Sequence, residues 1–354
     1  MTESEPPAVR SVTIEGFRGV RSGGVEALSP LSVLVGPNNC GKSTVLEAIA
    51  MTNLGLDARA AFQLLIRRGG STLHALRRVF HTKPEARIQS EGLPGLCASV
   101  TLNVAALDPH DQHRVKSEGQ LTLPALEATS QTTYRNSDGG LASLGGSSIV
   151  FDHRGAHGHG QSLPAVGQRP MRFVDVEAVR ATGSLEDAYT RVEQAGRLQD
   201  VIRALRGSMP GLTDLRILKV ESDFVLHTFT EGRPPIPAFL AGDGFKRFLS
   251  IASAAGEAAD GVLLLEEPES FQHPRYLREL AARLRATAAR GAQVVLSTHS
   301  IELIDLLLGE EGSPDDAWPT VHRLRLIDGE LRAVAVSASD ARTLRHELVE
   351  DLRA

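Results

Sequence analysis

Several features common in other classes of protein are scarce in this sequence or missing from it. No apolar run reaches the roughly 18 residues that a membrane-spanning helix needs, and residues 1–10 are polar and acidic, unlike a secretion signal. Only two cysteines occur, Cys40 and Cys97, which are too few for a disulfide framework. The net charge of −5 excludes a chain that is cationic overall. We therefore expect a cytoplasmic protein with reduced thiols and no membrane contact.

The remaining composition is that of a globular protein. Hydrophobic residues make up 42% and charged residues 23% of the 354 positions, enough to bury a large core. We expect one domain over 1–354, with residues 107–170 as a loop-rich insertion or a small β-arm, because Gly, Ser, His and Gln accumulate there. His153, His157 and His159 lie in this segment, but no Cys or acid at suitable spacing supports a metal site.

Local patterns predict further elements. Periodicity favours one helix over 184–206 and another over 245–258, and a hairpin turning at Asp328-Gly329 within 321–336. A charged helix should follow that hairpin.

The strongest motif is the segment Gly36–Thr44, which fits the phosphate-loop pattern G-x-x-x-x-G-K-S/T. It follows the apolar run Leu31–Val35, typical of a buried strand, and precedes a predicted helix over 43–52. In such loops backbone N–H groups and the helix N-terminus face the phosphates, the lysine reaches the β- and γ-phosphate oxygens, and the hydroxyl ligates Mg²⁺. The residues expected to bind ATP are Gly36, Asn38, Asn39, Gly41, Lys42, Ser43 and Thr44.

A second motif places two acids at the end of the apolar run 262–265. Glu266 is the candidate ligand of Mg²⁺, together with Ser43, and Glu267 is the candidate that orients or deprotonates the attacking water. A solvated strand terminus is the alternative interpretation of such a pair.

A third motif, Leu296–Ser300, again ends an apolar strand pattern. His299 at that tip is placed to hydrogen-bond the γ-phosphate and the water. The alternative is a histidine that caps the helix predicted over 301–308.

The order and the sequences of these motifs resemble those of the ABC-type ATPases of the SMC and RecF group. Within this group they most resemble the OLD-like branch found in bacterial phage-defence operons. The segment Glu266–Pro274 is similar to that group's "EEPE-x-x-x-HP" wording, and Gly16–Gly19 to its Phe-Arg turn after the first strand. The resemblance covers about residues 9–60 and 170–340. It implies an α/β fold: an ABC-like P-loop NTPase head with a mostly parallel central sheet, an antiparallel N-terminal lobe and an irregular insertion.

The resemblance also implies a homodimer that closes around ATP. Arg18 would contact the nucleotide, and residues after Pro268 would face the second subunit. The group's signature segment is loosely matched by Gly242–Arg247, so Asp243 and Gly244 would complete the partner's site. Gln89 is only a guess for the group's Q-loop glutamine.

A basic stretch runs from Arg59 to Arg87, with Glu85 as its one acid. We read it either as a solvated helix face or as a site for double-stranded DNA. The residues expected to contact DNA are Arg67, Arg68, Arg77 and Arg78.

The function expected is a Mg²⁺-dependent ATPase that acts as a dimeric sensor or scaffold in anti-phage defence with a separate effector protein, such as a nuclease. The alternatives are a RecF-like clamp for DNA repair or maintenance and a transporter subunit. Transport is disfavoured because Gly242–Arg247 differs from the transporter signature Leu-Ser-Gly-Gly-Gln.

Overall fold

The computed structural model describes residues 7–53, 85–92, 97–106, 126–135, 139–152, 155–160, 169–176, 184–207, 209–258, 260–309 and 318–353. The strands in these ranges are β1 (Val9–Phe17), β2 (Val20–Val25), β3 (Leu31–Val35), β4 (Glu85–Gly92), β5 (Cys97–Ala106), β6 (Leu126–Arg135), β7 (Leu141–Asp152), β8 (Gly155–Gly160), β9 (Met171–Val174), β10 (Leu212–Val220), β11 (Asp223–Thr230), β12 (Ile236–Pro237), β13 (Val262–Glu266), β14 (Gln293–Ser297), β15 (Thr320–Ile327) and β16 (Glu330–Val336).

The helices are α1 (Lys42–Asn53), α2 (Ser184–Gln194), α3 (Leu198–Leu205), α4 (Asp243–Glu257), α5 (Pro274–Ala289), α6 (Ile301–Leu308) and α7 (Ala338–Arg342). A 3-10 turn, Ala238–Leu240, precedes α4, and a π-helical turn, Thr343–Glu347, follows α7. No helix within the described ranges is long and apolar enough to cross a bilayer.

Most strands belong to one large sheet with the order β8-β7-β6-β5-β4-β1-β2-β16-β15-β3-β14-β13-β9. Its part from β15 to β9 is entirely parallel. On the other side, β1 pairs antiparallel with β2 and β4, and the antiparallel pairing continues from β4 to β8. The expected α/β fold, with a parallel centre and an antiparallel N-terminal lobe, is therefore confirmed.

The central strands are covered on both faces. Every residue of β3, β13 and β14 is buried, as their mostly apolar sequences predict for parallel strands. Because side chains alternate along a strand, Leu263 and Leu265 join the cluster packed by α4 and α5, whereas Val262 and Leu264 join the cluster packed by α1.

The parallel register brings three strand ends to one edge of the sheet. Glu266 of β13 lies opposite Ser297 of β14, and Ser297 lies opposite Leu34 of β3. The loops that leave these strands therefore start side by side, at the carboxyl edge where open α/β sheets bind ligands.

One local prediction needed correction. The helix predicted over 184–206 is broken into α2 and α3, because Gly196 adopts a left-handed conformation with φ of 68° that ends α2. In the described parts of 107–170, β6, β7 and β8 continue the antiparallel lobe, which agrees with the β-arm of the two predicted alternatives rather than with a loop-rich insertion. Other elements match closely, including the hairpin of β15 and β16, whose turn residues Asp328 and Gly329 both have positive φ.

Candidate functional site

The phosphate-loop segment turns sharply between β3 and α1. Gly36, Asn39 and Gly41 have φ angles of 143°, 63° and 98°, a left-handed region that L side chains rarely adopt. At Gly36 a Cβ would lie 2.4 Å from the carbonyl oxygen of Leu324 and 2.8 Å from Sγ of Cys40. Glycine at position 36 is therefore required by both backbone conformation and space.

Lys42 is the cation of this loop. It is 7% exposed, and its ammonium donates to the carbonyl oxygens of Gly36 and Pro37, each at 2.9 Å. The loop's own backbone thus holds the lysine at the start of α1, where the helix dipole already favours an anion.

A cavity of about 480 Å³ opens above the loop. It brings together most of the residues that the sequence nominated: Arg18, Asn38, Asn39, Gly41, Lys42, Ser43, Thr44, Glu266, Glu267 and His299. Gly36 shapes the loop beneath it. The convergence follows from the register of β3, β13 and β14.

Ser43 and Glu266 meet at the base of the cavity. The Ser43 hydroxyl donates a short hydrogen bond to Oε1 of Glu266, which is buried at the end of β13. A hydroxyl and a carboxylate are hard oxygen donors of the kind that Mg²⁺ prefers, so this pair fits the predicted metal ligands. No cluster of three or more His, Cys, Asp or Glu side chains that could hold a metal ion occurs in the described ranges.

Glu267 lies in a strained turn directly after β13. Its φ is 42°, unusual for a residue other than glycine, and its N–H donates to the carbonyl oxygen of Ser297 at 2.9 Å. This turn directs the half-buried carboxylate of Glu267 into the cavity beside Glu266.

His299 faces Glu267 across the cavity, with its Nε2 3.9 Å from Oε1 of the glutamate. Burial, followed by the positive charge of Lys42, lowers the pKa of the imidazole below its usual value. The ring is therefore neutral at pH 7, and the two side chains do not form a salt bridge. The predicted alternative, a capping histidine, is not observed, because Ser300 caps α6 through a bond from the N–H of Leu303.

Arg18 enters the cavity from the turn after β1. Its Nε lies 2.5 Å from Oε2 of Glu47, a fully buried acid of α1. Glu47 was not nominated from the sequence. The sequence indicates its burial only through its position in the helix between the apolar residues Leu46 and Ala48, which are both buried.

Asp243 and Gly244 do not line the cavity of their own chain, although both are described. They start α4, where a Cβ at Gly244 would lie 2.6 Å from the carbonyl oxygen of Phe271. Asp243 pairs with Lys246 at 2.6 Å. The signature-like segment therefore packs on the loop that follows β13.

Arg247 of the same segment is fully buried and was missed as a site residue. Its guanidinium donates to the backbone carbonyls of Asp175 and Glu266, and to that of Glu267 at 3.5 Å. Burial lowers its pKa to about 10, so it remains charged at pH 7. The sequence does indicate that Arg247 is buried, because its four-residue spacing from Ile251 and Ala255 places it on the apolar face of α4.

Other nominated residues fall away from the cavity or outside the described residues. Gln89 lies on the exposed face of β4, where its amide donates to Sγ of Cys97 at 3.1 Å. Of the basic side chains in this stretch only Arg87 is described, and it pairs with Glu85 at 2.8 Å. The arginines nominated for DNA, Arg67, Arg68, Arg77 and Arg78, lie outside the described residues, as does His153.

Known families match both halves of this site. A family model of an AAA domain, whose description names the AbiEii toxin and a type IV toxin–antitoxin system, matches residues 173–305. A model described as an AAA ATPase domain matches residues 8–65. The first covers Glu266, Glu267 and His299, and the second covers Lys42 and Ser43.

Solved structures match the whole fold. The SMC head bound to the C-winged helix domain of ScpA has a TM-score of 0.52 at 12% identity, covering 95% of this chain and all of that one. The Smc head domain with an extended coiled coil from Pyrococcus furiosus, bound to the C-terminal domain of ScpA, has a TM-score of 0.53 at 11% identity, covering 97% and 100%. The chain therefore has the fold of these SMC heads, and the two AAA-domain models match the segments that carry its phosphate loop and its acidic strand end.

Two proteins of Methanocaldococcus jannaschii, both described as uncharacterized, are similar in sequence. MJECL11 is 35% identical over 114 residues, which are 32% of this chain and 98% of that protein. MJECL10 is 24% identical over 232 residues, which are 62% of this chain and 94% of that protein. The chain belongs to the same family as MJECL11.

Proposed function

We propose that this protein hydrolyses ATP with Mg²⁺, that two copies close around the nucleotide, and that the resulting switch serves anti-phage defence through a separate effector. The observation that carries the ATPase proposal is the convergence of Lys42, Ser43, Glu266, Glu267 and His299 on one cavity at the carboxyl edge of the sheet. These residues come from three separate strand ends, so their meeting is not a consequence of sequence proximity.

Lys42 and the phosphate loop bind and orient the triphosphate. The ammonium is already directed by Gly36 and Pro37, which reduces the side-chain ordering needed when an anion binds. Phosphate oxygens attract a point cation held in this way at a helix N-terminus.

Ser43 and Glu266 would hold Mg²⁺, which when bound neutralises charge on the phosphate oxygens. Their side chains touch each other directly, so they offer two oxygen ligands at one place. Arg247, bound to the backbone of Glu266, fixes that strand end from behind.

Glu267 is the group that orients or deprotonates water, and His299 assists it. The strained turn fixes the direction of the Glu267 carboxylate. A neutral imidazole at His299 can donate one hydrogen bond and accept another, which suits a contact that bridges a phosphate oxygen and water.

Closure of two copies is supported by the placement of Asp243 and Gly244. Both lie outside the cavity of their own chain, and large apolar side chains are exposed nearby: Phe239 and Leu240 just before α4, and Phe271 in the loop against Gly244. A second copy that covered this face would bury them and bring the helix N-terminus to its neighbour's nucleotide.

The defence role is supported by the family model whose description names the AbiEii toxin and a type IV toxin–antitoxin system. The SMC-head fold favours a second candidate, a RecF-like clamp that acts on DNA. Phage challenge separates them. Cells carrying the gene with its operon neighbours should survive infection, and a Lys42→Ala variant should not. Equal survival of both, with increased DNA-damage sensitivity of the variant, would favour the clamp.

Titration calorimetry tests nucleotide binding itself. Lys42→Ala should abolish binding of ATP with Mg²⁺, because the phosphates lose the point cation of the loop. Lys219→Ala, which changes an exposed lysine of β10, is the matched control. Unchanged ATP affinity in the Lys42 variant would contradict the phosphate-loop assignment.

A further inference from the structure

The loop that carries His299 is organised around one oxygen of Glu269. Oε1 of Glu269 accepts hydrogen bonds from the hydroxyl of Thr298 at 2.7 Å and from the N–H of His299 at 2.9 Å. The Thr298 oxygen in turn accepts from the N–H of Ser300 at 2.9 Å. Three consecutive residues thus take their positions from a single carboxylate.

Burial of an acid at this position is energetically unfavourable. Oε2 of Glu269 is buried and has no hydrogen-bond partner among the described residues. Burial raises the pKa of this carboxyl, despite the hydrogen bonds with Thr298, with the backbone of Glu269 itself and with the backbone of His299, which lower it. A buried, half-satisfied carboxyl contributes little to net stability, so a role in placing its hydrogen-bond partners explains it better than packing does.

A second charged side chain holds His299 from the opposite side. Nη1 of Arg353 donates to the carbonyl oxygen of His299 at 2.7 Å. Arg353 is itself fixed by Asp351, through contacts of 2.9 Å from Nε and 2.8 Å from Nη2. Both backbone polar groups of His299 are therefore bound by side chains from distant parts of the chain.

We propose that Glu269 and Arg353 are positioning residues that hold the backbone of His299 so that its imidazole meets the reacting phosphate. This inference rests on the proposed ATPase function, and it assigns neither residue a contact with ATP. A displaced peptide would move the ring, and a misplacement of about 1 Å can reduce a rate on the order of a hundredfold.

Glu269 also links His299 to the start of α4. The N–H of Gln272 donates to the carbonyl oxygen of Glu269 at 2.9 Å, and its side-chain amide donates to that of Gly244 at 2.9 Å. These contacts connect the first turn of α4 to the loop that carries His299.

Steady-state kinetics test the proposal. Glu269→Ala should lower kcat by about tenfold to a hundredfold while leaving the Kd for ATP within about twofold, because only the placement of His299 changes. Glu269→Gln keeps an acceptor oxygen and should retain most of the activity. Arg353→Ala should show a smaller loss, since its contact is more exposed.

Glu257→Ala is the matched control. Glu257 is a buried acid that also binds two partners, Arg172 at 2.5 Å and Arg191 at 3.1 Å, but it lies at the far end of α4. Its loss should lower the melting temperature and leave kcat unchanged. A drop in kcat equal to that of Glu269→Ala would attribute both effects to general destabilisation and overturn the proposal.

Hydrogen exchange of the His299 amide gives a readout that needs no ATP. With ¹⁵N-histidine labelling only twelve amide signals arise, and the His299 signal is the one lost in His299→Asn. This amide should exchange slowly in the wild type and in Glu269→Gln, and faster in Glu269→Ala. A kcat loss without faster exchange, or faster exchange with normal kcat, would overturn the positioning role. A wild type that binds but never hydrolyses ATP would instead contradict the proposed function.

Discussion

The hydroxyl of Ser43 at the start of α1 donates directly to Oε1 of Glu266 at the end of β13, although 223 positions separate the two residues. This contact joins the phosphate loop to the acidic strand end. It therefore identifies the point where a divalent cation would exchange the hydrogen bond for coordination to both oxygens.

Removal of the Ser43 hydroxyl or of the Glu266 carboxylate should weaken the binding of Mg²⁺. In Ser43→Ala or Glu266→Gln the Mg²⁺ concentration for half-maximal ATPase activity should rise by at least about tenfold. Loss of a residue that only supports a metal ligand already has an effect of about that size. Titrating Mg²⁺ at saturating ATP measures it. Ser250→Ala is the control, because that hydroxyl binds only the carbonyl oxygen of Lys246 on α4. An unchanged Mg²⁺ requirement in both site variants would contradict the metal assignment.

Glu267→Gln should separate binding from hydrolysis. The amide cannot accept a proton from water, so the rate should fall by about a hundredfold or more, the typical contribution of a positioned base, while ATP stays bound. The slowed variant should also accumulate as a dimer with ATP. Single-turnover hydrolysis and light scattering measure the two effects. Glu302→Gln, an exposed acid of α6, should behave as the wild type. Hydrolysis at the normal rate would exclude Glu267 as the base.

The exposed apolar side chains around Gly244 should be needed for dimerisation. Phe239, Leu240 and Phe271 are 55%, 67% and 46% exposed. Full burial of such a side chain contributes about 2 kcal/mol, so replacing all three by Ser should weaken the ATP-bound dimer by more than about a hundredfold. Light scattering in the Glu267→Gln background measures this.

The matched control for that experiment is Phe224→Ser. Phe224 is 68% exposed at the start of β11, where it pairs with Lys219 of β10. A dimer that survives the triple substitution, or one that is lost equally in the control, would place the interface elsewhere.

His322 predicts acid sensitivity of the fold. It is fully buried in β15, neither ring nitrogen has a hydrogen-bond partner among the described residues, and burial lowers its pKa from 6.5 to about 4. Because the unfolded state takes up a proton first, stability is complete above pH 6.5 and falls as the pH drops toward 4. The loss is on the order of 3 kcal/mol.

Urea unfolding at pH 7 and pH 4 gives the loss of unfolding free energy on acidification for the wild type and for His322→Leu. The contribution of His322 is the difference between the two losses. The leucine variant lacks the titrating ring and should lose less stability on acidification. An identical pH dependence of the two proteins would show that other groups cause the acid sensitivity.

The amino-acid sequence by itself determined the three motif-bearing strands and the hairpin. Mostly apolar runs such as Leu31–Val35 and Gln293–Ser297 are typical of strands buried on both faces, and each ends at a motif. The Asp328-Gly329 pair favours positive φ and therefore a tight turn. Because these signals are local, the predicted boundaries agree with the structure.

Only the tertiary structure decided which distant residues meet. The order in which β14 lies between β3 and β13 follows from crossover connections and side-chain packing, which no local pattern encodes. The same packing places Glu269 against His299 and Arg247 behind Glu266. Each of these contacts joins groups more than fifteen positions apart. Buried polar groups need hydrogen-bond partners, and the tertiary structure determines which partner lies close enough.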